Sequence, residues 1–244
     1  LRTDGRKAGQ KVVLKTAEKL DENGRIDQSV TGKDYAWTYI LNDKKEQEFA
    51  PDFTYTGFRY VEITGAVPEK EITLQGEFIY PDIDQAGDFS CSNTLFNQIH
   101  EIVLQAIKSN TKSYFTDCPH REKLGWLEQT HLIGPSIMYN LDVHNLYAKI
   151  EGDMADSQRE NGLIPDICPE YVTGFDKWHK GFLDSPEWGS ACVLAPWYAY
   201  KRYGDLPLLE KYFPVMKKYV EYLSSKTHHE VLHHGLGDWL DIGP

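Results

Sequence analysis

The sequence lacks the features that mark several common classes of protein. It contains no apolar run of about 18 residues, so it predicts no membrane-spanning helix. Basic residues are scarce, 26 against 37 acidic ones, and the net charge is −11. Nucleic acids and anionic membranes bind clustered Lys and Arg, so neither is expected as a partner. The four cysteines form no CxxC pair, which argues against a zinc site or a disulfide-rich scaffold and leaves the cellular compartment open.

The two ends of the sequence also lack features of natural termini. The chain opens with LRTDGRKAGQ, which has neither an initiating Met nor an apolar signal core. It stops at GDWLDIGP, a stretch rich in turn formers. We therefore expect a piece of a longer protein, for which a secreted or periplasmic location is compatible with the sequence.

Residues 1–88 are predicted to form strands. Four β-branched or aromatic runs are separated by turn formers such as Glu22-Asn23-Gly24: Lys11–Lys15, Trp37–Leu41, Phe58–Ile63 and Ile72–Tyr80. Several short strands with turns between them favour an antiparallel β-sandwich.

Residues 89–244 are predicted to be helical. Apolar residues recur at helical spacing from Ser92 onward, where Ser92 or Asn93 can cap the helix start, and cap residues begin two of three further periodic segments. These segments begin near Asp142, at Asp184 and at about Leu206, the last with Leu209, Phe213, Met216, Val220 and Leu223 spaced for burial. The fold class expected is α+β in separate domains, 1–88 and 89–244.

One loop between the predicted helices carries groups suited to sugar chemistry. Hydrolysis of a glycosidic bond needs a carboxylic acid to protonate the departing oxygen and a carboxylate to activate water or attack the sugar. The segment Asp117–Gln129, DCPHREKLGWLEQ, combines acidic residues, Arg121 and Trp126. From composition alone, a polar loop with surface ion pairs is the favoured alternative. The clustered histidines at 228–229 and 233–234 are likewise expected to be solvated rather than to bind metal.

The segment DCPHREKLGWLEQ closely resembles the signature region of the inverting α-L-rhamnosidases, glycoside hydrolase family 78. Three later pieces resemble that family in the same order: Gly162–Tyr171 (GLIPDICPEY), Ser185–Ala191 (SPEWGSA) and Gly237–Leu240 (GDWL). The resemblance implies a β-sandwich followed by part of an (α/α)6 catalytic barrel. It also implies a rhamnose-containing oligosaccharide, polysaccharide or glycoside as substrate, and no cofactor.

The resemblance also implies roles for individual residues. Glu122, just before Lys-Leu-Gly-Trp, matches the general acid, and Asp117 matches a ligand of the sugar hydroxyls, with Arg121 beside it. The family's aromatic positions around rhamnose correspond to Trp126, Trp188 and Trp239. Asp166 is expected to bind substrate or to order its loop.

This sequence departs from the family pattern at two points. Glu128 and Gln129 stand where the family often has Gly-Asp, so one of them is expected to replace the sugar-binding Asp. The family's general base is a Glu in the later half of the barrel, beyond residue 244. We therefore expect this chain alone to be inactive and to expose apolar helix faces that the rest of the barrel would cover.

Two other functions remain open from the sequence. A non-catalytic carbohydrate-binding or structural module would bind sugar through residues 1–88 alone. A polysaccharide lyase on a similar barrel would use a Tyr or His base at a uronic acid and release an unsaturated product that absorbs light.

Overall fold

The computed structural model describes residues 2–4, 8–31, 34–65, 72–171 and 182–237. The chain divides into two compact units. The strand-rich unit comprises residues 1–79 together with Cys118–Lys123, and the helical unit comprises Tyr80–Asp117 and 124–244. Antiparallel sheets followed by helices confirm the coarse fold class. The domain boundary placed after residue 88 stays a prediction, and the structure groups Tyr80–Asp88 with the helices.

The strands of the first unit pair in three small antiparallel sheets, in the orders β6-β1-β8, β5-β2-β7 and β3-β4. Their bounds are β1 Arg2–Asp4, β2 Lys11–Ala17, β3 Lys19–Leu20, β4 Ile26–Asp27, β5 Trp37–Ile40, β6 Glu46–Glu48, β7 Tyr60–Gly65 and β8 Ile72–Thr73. The predicted runs contain β5 and β8 and overlap β2 and β7, which each continue two residues beyond the predicted end. The long strand expected over 72–80 is wrong, because β8 ends at Thr73 and the residues after it are exposed.

Strand β2 is the middle strand of one three-stranded sheet, paired on one side with β5 and on the other with β7. Val12 faces Tyr39 in one neighbour and Gly65 in the other, and it is fully buried. At Gly65 (φ +144°) a Cβ atom would lie 2.3 Å from the carbonyl oxygen of Lys11. Only glycine allows this close approach of β7 to β2.

The helices of the second unit are α1 Thr94–Asn110, α2 Glu128–Leu132, α3 Gly134–Asn140, α4 His144–Ser157, α5 Pro186–Gly189, α6 Ala191–Tyr203 and α7 Leu206–Lys226. Side-chain caps start the longest two, α1 and α7. Asn93 accepts a hydrogen bond from the amide of Leu95 over 2.9 Å, and Asp205 accepts one from Leu208 over 2.9 Å. The single helix expected from Asp184 to Tyr203 is broken at Ser190 into α5 and α6. Helices α2 and α3 were not predicted.

The core of the helical unit is formed where α6 packs between α4 and α7. Small buried residues of α6, Ala191, Ala195 and Ala199, let the large side chains of Tyr147 and Met154 on α4 fill the space. On α7 the buried residues are Leu208, Tyr212, Tyr219 and Tyr222.

The buried face predicted for α7 is wrong by one position. Phe213 and Val220 are exposed, whereas Tyr212 and Tyr219 are buried. A tyrosine can fill a core when its hydroxyl reaches a partner, as that of Tyr222 does in donating to the Asp184 carboxylate over 2.5 Å. A prediction from hydrophobicity alone ranks Phe and Val above Tyr, and it therefore places the buried face of α7 along Phe213 and Val220.

Candidate active site

The residues named by the sequence fall in both units. Asp117, Trp126, Glu128, Gln129, Asp166 and Trp188 belong to the helical unit, whereas Arg121 and Glu122 belong to Cys118–Lys123 of the strand-rich unit. Trp239 lies outside the residues that the structure describes.

Asp117 closes the base of the loop that carries Glu122. Its amide donates to the carbonyl oxygen of Leu124 over 3.2 Å. In return, the amide of Leu124 donates to Oδ1 of Asp117 over 3.1 Å. The carboxylate therefore has a structural role in this loop, whatever else it binds.

The segment after this loop pairs with the later motif that contains Asp166. The amide of Leu127 donates to the Asp166 carbonyl over 2.9 Å, and the amide of Cys168 donates to the Gly125 carbonyl over 3.0 Å. Gly125 makes this pairing possible, because a Cβ atom there would lie 2.6 Å from the carbonyl oxygen of Cys168. Two motifs separated by about forty residues in the chain thus form one short antiparallel bridge.

The side chain of Asp166 connects this bridge to a third motif. The amide of Ser185, the residue before α5, donates to Oδ1 of Asp166 over 2.8 Å. Asp166 is fully buried, and its Oδ2 has no hydrogen-bond partner among the described residues. Burial raises the pKa of this carboxyl to about 7, against the hydrogen bonds from Ser185, which favour the charged form.

Helix α5 is held from a second side by His131 of α2. Its Nε2 lies 2.7 Å from the carbonyl oxygen of Glu187. A carbonyl only accepts, so Nε2 is the donor in this bond. Burial lowers the pKa of His131, which favours the neutral ring with its proton on Nε2.

These contacts bring two of the predicted sugar-binding tryptophans together. The ring centroids of Trp126 and Trp188 lie 6.2 Å apart in an edge-to-face arrangement, and Phe182 lies 5.7 Å from Trp126. Both indoles are almost entirely buried, with exposed fractions of 7% and 6%. The Nε1 atom of Trp188 has no hydrogen-bond partner in the described part of the chain.

Glu128 and Gln129 lie at the start of α2. The side-chain Nε2 of Gln129 donates to Oε1 of Glu128 over 3.0 Å, and both side chains are half-buried. Gln129 also lines an apolar cavity of about 250 Å³ beside Ile107, Phe115 and Ile137.

In the strand-rich unit, the acid candidate Glu122 lies at an exposed turn. Its side chain is 37% exposed, and a carboxylate oxygen lies 3.6 Å from Nη2 of Arg121, which is 53% exposed. The amide of Glu122 donates to Sγ of Cys118 over 3.2 Å. All four cysteines are free thiols.

Neither metal ligands nor a membrane span stands out in the part of the chain that the structure describes. No group of three or more His, Cys, Asp or Glu side chains there could hold a metal ion. Within the same residues, no helix combines the length and apolar character needed to cross a bilayer.

Comparison with protein families gives the context of these motifs. Residues 84–244 match the family described as the bacterial alpha-L-rhamnosidase 6 hairpin glycosidase domain. Residues 2–80 match the bacterial alpha-L-rhamnosidase concanavalin-like domain. The chain belongs to the bacterial α-L-rhamnosidase family.

Named α-L-rhamnosidases are similar to this chain over nearly its whole length. One from Formosa agariphila is 31% identical over 98% of this chain, and the match covers 26% of that protein. The α-L-rhamnosidase structure from Dictyoglumus thermophilum has a TM-score of 0.87 and 32% identity, with 98% of this chain and 27% of that chain covered. The Streptomyces avermitilis α-L-rhamnosidase complexed with L-rhamnose has a TM-score of 0.88 and 29% identity, with coverage of 99% and 23%. The chain thus spans about a quarter of the length of these α-L-rhamnosidases.

Sequence reasoning missed the roles of several residues that hold the motif segments in place. Ser185 and His131 fix α5, and Phe182 packs against Trp126. A signal for Ser185 was present, since a Ser before Pro-Glu is typical of a helix start. His131 had no such signal, because its short helix was not predicted.

Proposed function

We propose that the full-length protein hydrolyses terminal α-L-rhamnosyl linkages with inversion, with Glu122 as the general acid. The observation that carries the proposal is the match of residues 84–244 to the glycosidase domain of the α-L-rhamnosidase family. That range includes the signature loop with Glu122 and the motifs around Asp166 and Trp188.

The proposed mechanism divides the work between two carboxyl groups. Glu122 protonates the oxygen of the departing group, while a Glu beyond residue 244 activates a water molecule on the opposite face of the sugar. An inverting enzyme holds its two carboxyl groups about 6.5–9.5 Å apart so that the water fits between them. The exposed position of Glu122 leaves its carboxyl accessible to a substrate.

The sugar is proposed to be held by residues of the matched motifs, with carboxylates and amides on its hydroxyls and indoles against its ring. These residues are Asp117, Arg121, Trp126, Glu128, Gln129, Asp166, Trp188 and Trp239. The substrate class proposed is a rhamnose-containing oligosaccharide, polysaccharide or glycoside. The similarity to an α-L-rhamnosidase complexed with L-rhamnose supports this substrate class.

The fold proposed is a β-sandwich over residues 1–88 followed by the first part of an (α/α)6 barrel over 89–244. The two family matches, to a concanavalin-like and a six-hairpin domain, support this division. With the base outside residues 1–244, the chain by itself is expected to have no rhamnosidase activity.

The assignment of the acid is tested in the full-length protein with Glu122→Gln. The substitution keeps the size of the side chain and removes its proton, so kcat on a disaccharide should fall by about 10²–10⁴-fold with KM little changed. Glu160→Gln, at an exposed turn of the helical unit, is the matched control. Proton NMR in the first minutes of reaction should show β-L-rhamnose before mutarotation. An unchanged kcat in Glu122→Gln would contradict the acid assignment, and early formation of the α-anomer would contradict inversion.

A further inference from the structure

The segment Cys118–Lys123, which includes Glu122, is held by another segment of the strand-rich unit. The amide of Gly57 donates to the carbonyl oxygen of Pro119 over 2.8 Å. Pro119 lies three residues before Glu122 and begins the turn on which that residue lies. The chain on the N-terminal side of the acid is thus fixed by residues that belong to neither the signature motif nor a helix.

The residue after the acid is fixed by the same segment. Nζ of Lys123 donates to the carbonyl oxygen of Tyr55 over 2.5 Å and lies 5.0 Å from the centroid of the Tyr55 ring. Lys123 has φ +58°, in the left-handed region that side chains other than glycine rarely adopt. Such a conformation costs on the order of 1 kcal/mol and is kept only where surrounding contacts hold it.

Gly57 permits a close approach that no other residue would allow. A Cβ atom at this position would lie 2.9 Å from Cγ and 3.3 Å from Cβ of Pro119. Pro119 is a rigid ring that cannot turn aside as a long flexible side chain can. Any side chain at position 57 must therefore displace the turn that carries Glu122.

We infer that the segment Tyr55–Gly57 positions the general acid by holding Pro119 and Lys123 on either side of Glu122. This inference rests on the proposed role of Glu122. The inferred role of the segment is to position the acid turn, through its contacts with Pro119 and Lys123. Because proton transfer needs the acid within hydrogen-bond reach of the departing oxygen, a displacement of about 1 Å can cost about 10²-fold in rate.

The test uses the dependence of the rate on the leaving group. In the full-length protein, kcat and KM are measured for a rhamnosyl disaccharide, whose departing alcohol needs a proton, and for 2,4-dinitrophenyl α-L-rhamnoside, whose phenolate departs without one. Gly57→Ala should lower kcat on the disaccharide by about 10–100-fold and on the dinitrophenyl substrate by less than about 3-fold, with KM unchanged. Lys123→Met should show the same split.

Matched controls separate this role from general damage. Gly76→Ala changes a glycine of the same unit that has open space around its Cβ position, and Lys45→Met removes an exposed ammonium of that unit. Both should keep the wild-type rates on both substrates. If Gly57→Ala does not fold, Lys123→Met still tests the inference, because this substitution removes a contact and introduces no clash.

The outcomes distinguish the inference from the proposed function. If Glu122→Gln shows no greater loss on the disaccharide than on the dinitrophenyl substrate, the acid assignment itself fails. If Glu122→Gln shows that split while Gly57→Ala and Lys123→Met lose rate equally on both substrates, or lose none, Tyr55–Gly57 has no positioning role and the inference is overturned.

Discussion

Asp117 and Leu124 are hydrogen-bonded to each other twice, amide to carbonyl over 3.2 Å and amide to carboxylate over 3.1 Å. The pair closes the loop that carries Glu122, so Asp117 has a structural role that the family resemblance does not reveal. The proposed binding of a sugar hydroxyl would come in addition, through the same carboxylate.

Substitutions at Asp117 should separate these two roles. Asp117→Ala removes the acceptor for the amide of Leu124 and should cost about 1.5–3 kcal/mol of stability. Asp117→Asn keeps an acceptor oxygen and should cost less, while in the full-length protein it should raise KM because the charge that binds the sugar is lost. Thermal unfolding and steady-state kinetics measure the two effects, with Asp156→Asn as an exposed control. Equal loss of stability in both variants would contradict the loop-closing role.

Loss of the Trp188 ring and loss of its indole nitrogen alone should have different effects on stability. Trp188→Ala removes a ring packed against Trp126 and should cost about 3–5 kcal/mol. Trp188→Phe keeps an aromatic ring and removes Nε1, which has no partner among the described residues. We therefore expect a smaller stability loss for Phe, and weaker binding of L-rhamnose by the full-length protein if Nε1 contacts the sugar.

The measurements for this pair are thermal unfolding and titration with L-rhamnose followed by calorimetry. Trp197→Phe is the matched control, since Trp197 on α6 is 45% exposed. A rhamnose affinity of Trp188→Phe equal to that of the control would show that Nε1 does not bind the sugar.

The sequence was sufficient to predict which parts of the chain are strands or helices, because periodicity and cap residues are local signals. Asn93 and Asp205 are the N-cap residues of α1 and α7, and Gly204 is the C-cap of α6. The buried face of α7 could not be predicted in the same way. Whether Tyr212 or Phe213 is buried depends on how α7 packs against α4 and α6 in the folded chain.

The candidate site was predicted only as separate motifs. The sequence contains no signal that the segment 125–127 pairs with 166–168, or that Asp166 binds the amide of Ser185. Both contacts join residues distant in the chain, and they depend on tertiary packing. The burial of Asp166 has the same origin, so an exposed sugar ligand and a buried linking residue look alike in the sequence.

Asp166 predicts a pH dependence of stability. Its pKa in the folded chain is about 7, raised by burial from the ordinary value near 4. Between these values the folded state binds more protons than the unfolded state, so stability is highest below about pH 4 and falls as the pH rises toward 7. The slope from this group should reach about −1.4 kcal/mol per pH unit.

Asp166→Asn tests this dependence, since its amide cannot ionise and its oxygen can still accept from Ser185. Urea unfolding at intervals between pH 4.5 and 7.5 should show a flatter profile for Asp166→Asn than for the wild-type chain. Asp27→Asn is the control, because hydrogen bonds from Ser29 lower the pKa of Asp27 to about 2, so this carboxyl titrates below the measured range and its loss should leave the slope of the wild-type profile unchanged. Identical profiles for the wild-type chain and Asp166→Asn would show that the buried carboxyl does not titrate in this range.

Helix α1 predicts self-association of the isolated chain. Leu95, Phe96, Ile99 and Ile102 of this helix are each about half exposed or more, and they form a contiguous apolar stripe at helical spacing. Exposed apolar patches of this kind bind other surfaces in water. At concentrations of tens of micromolar, light scattering should therefore show residues 1–244 as larger than a monomer.

Ile102→Lys should shift the chain toward the monomer without loss of helix content. Gln105→Lys adds the same charge at an exposed polar position of α1 and should leave the association unchanged. A monomeric wild-type chain, or an equal effect of the two lysines, would contradict the apolar origin of the association.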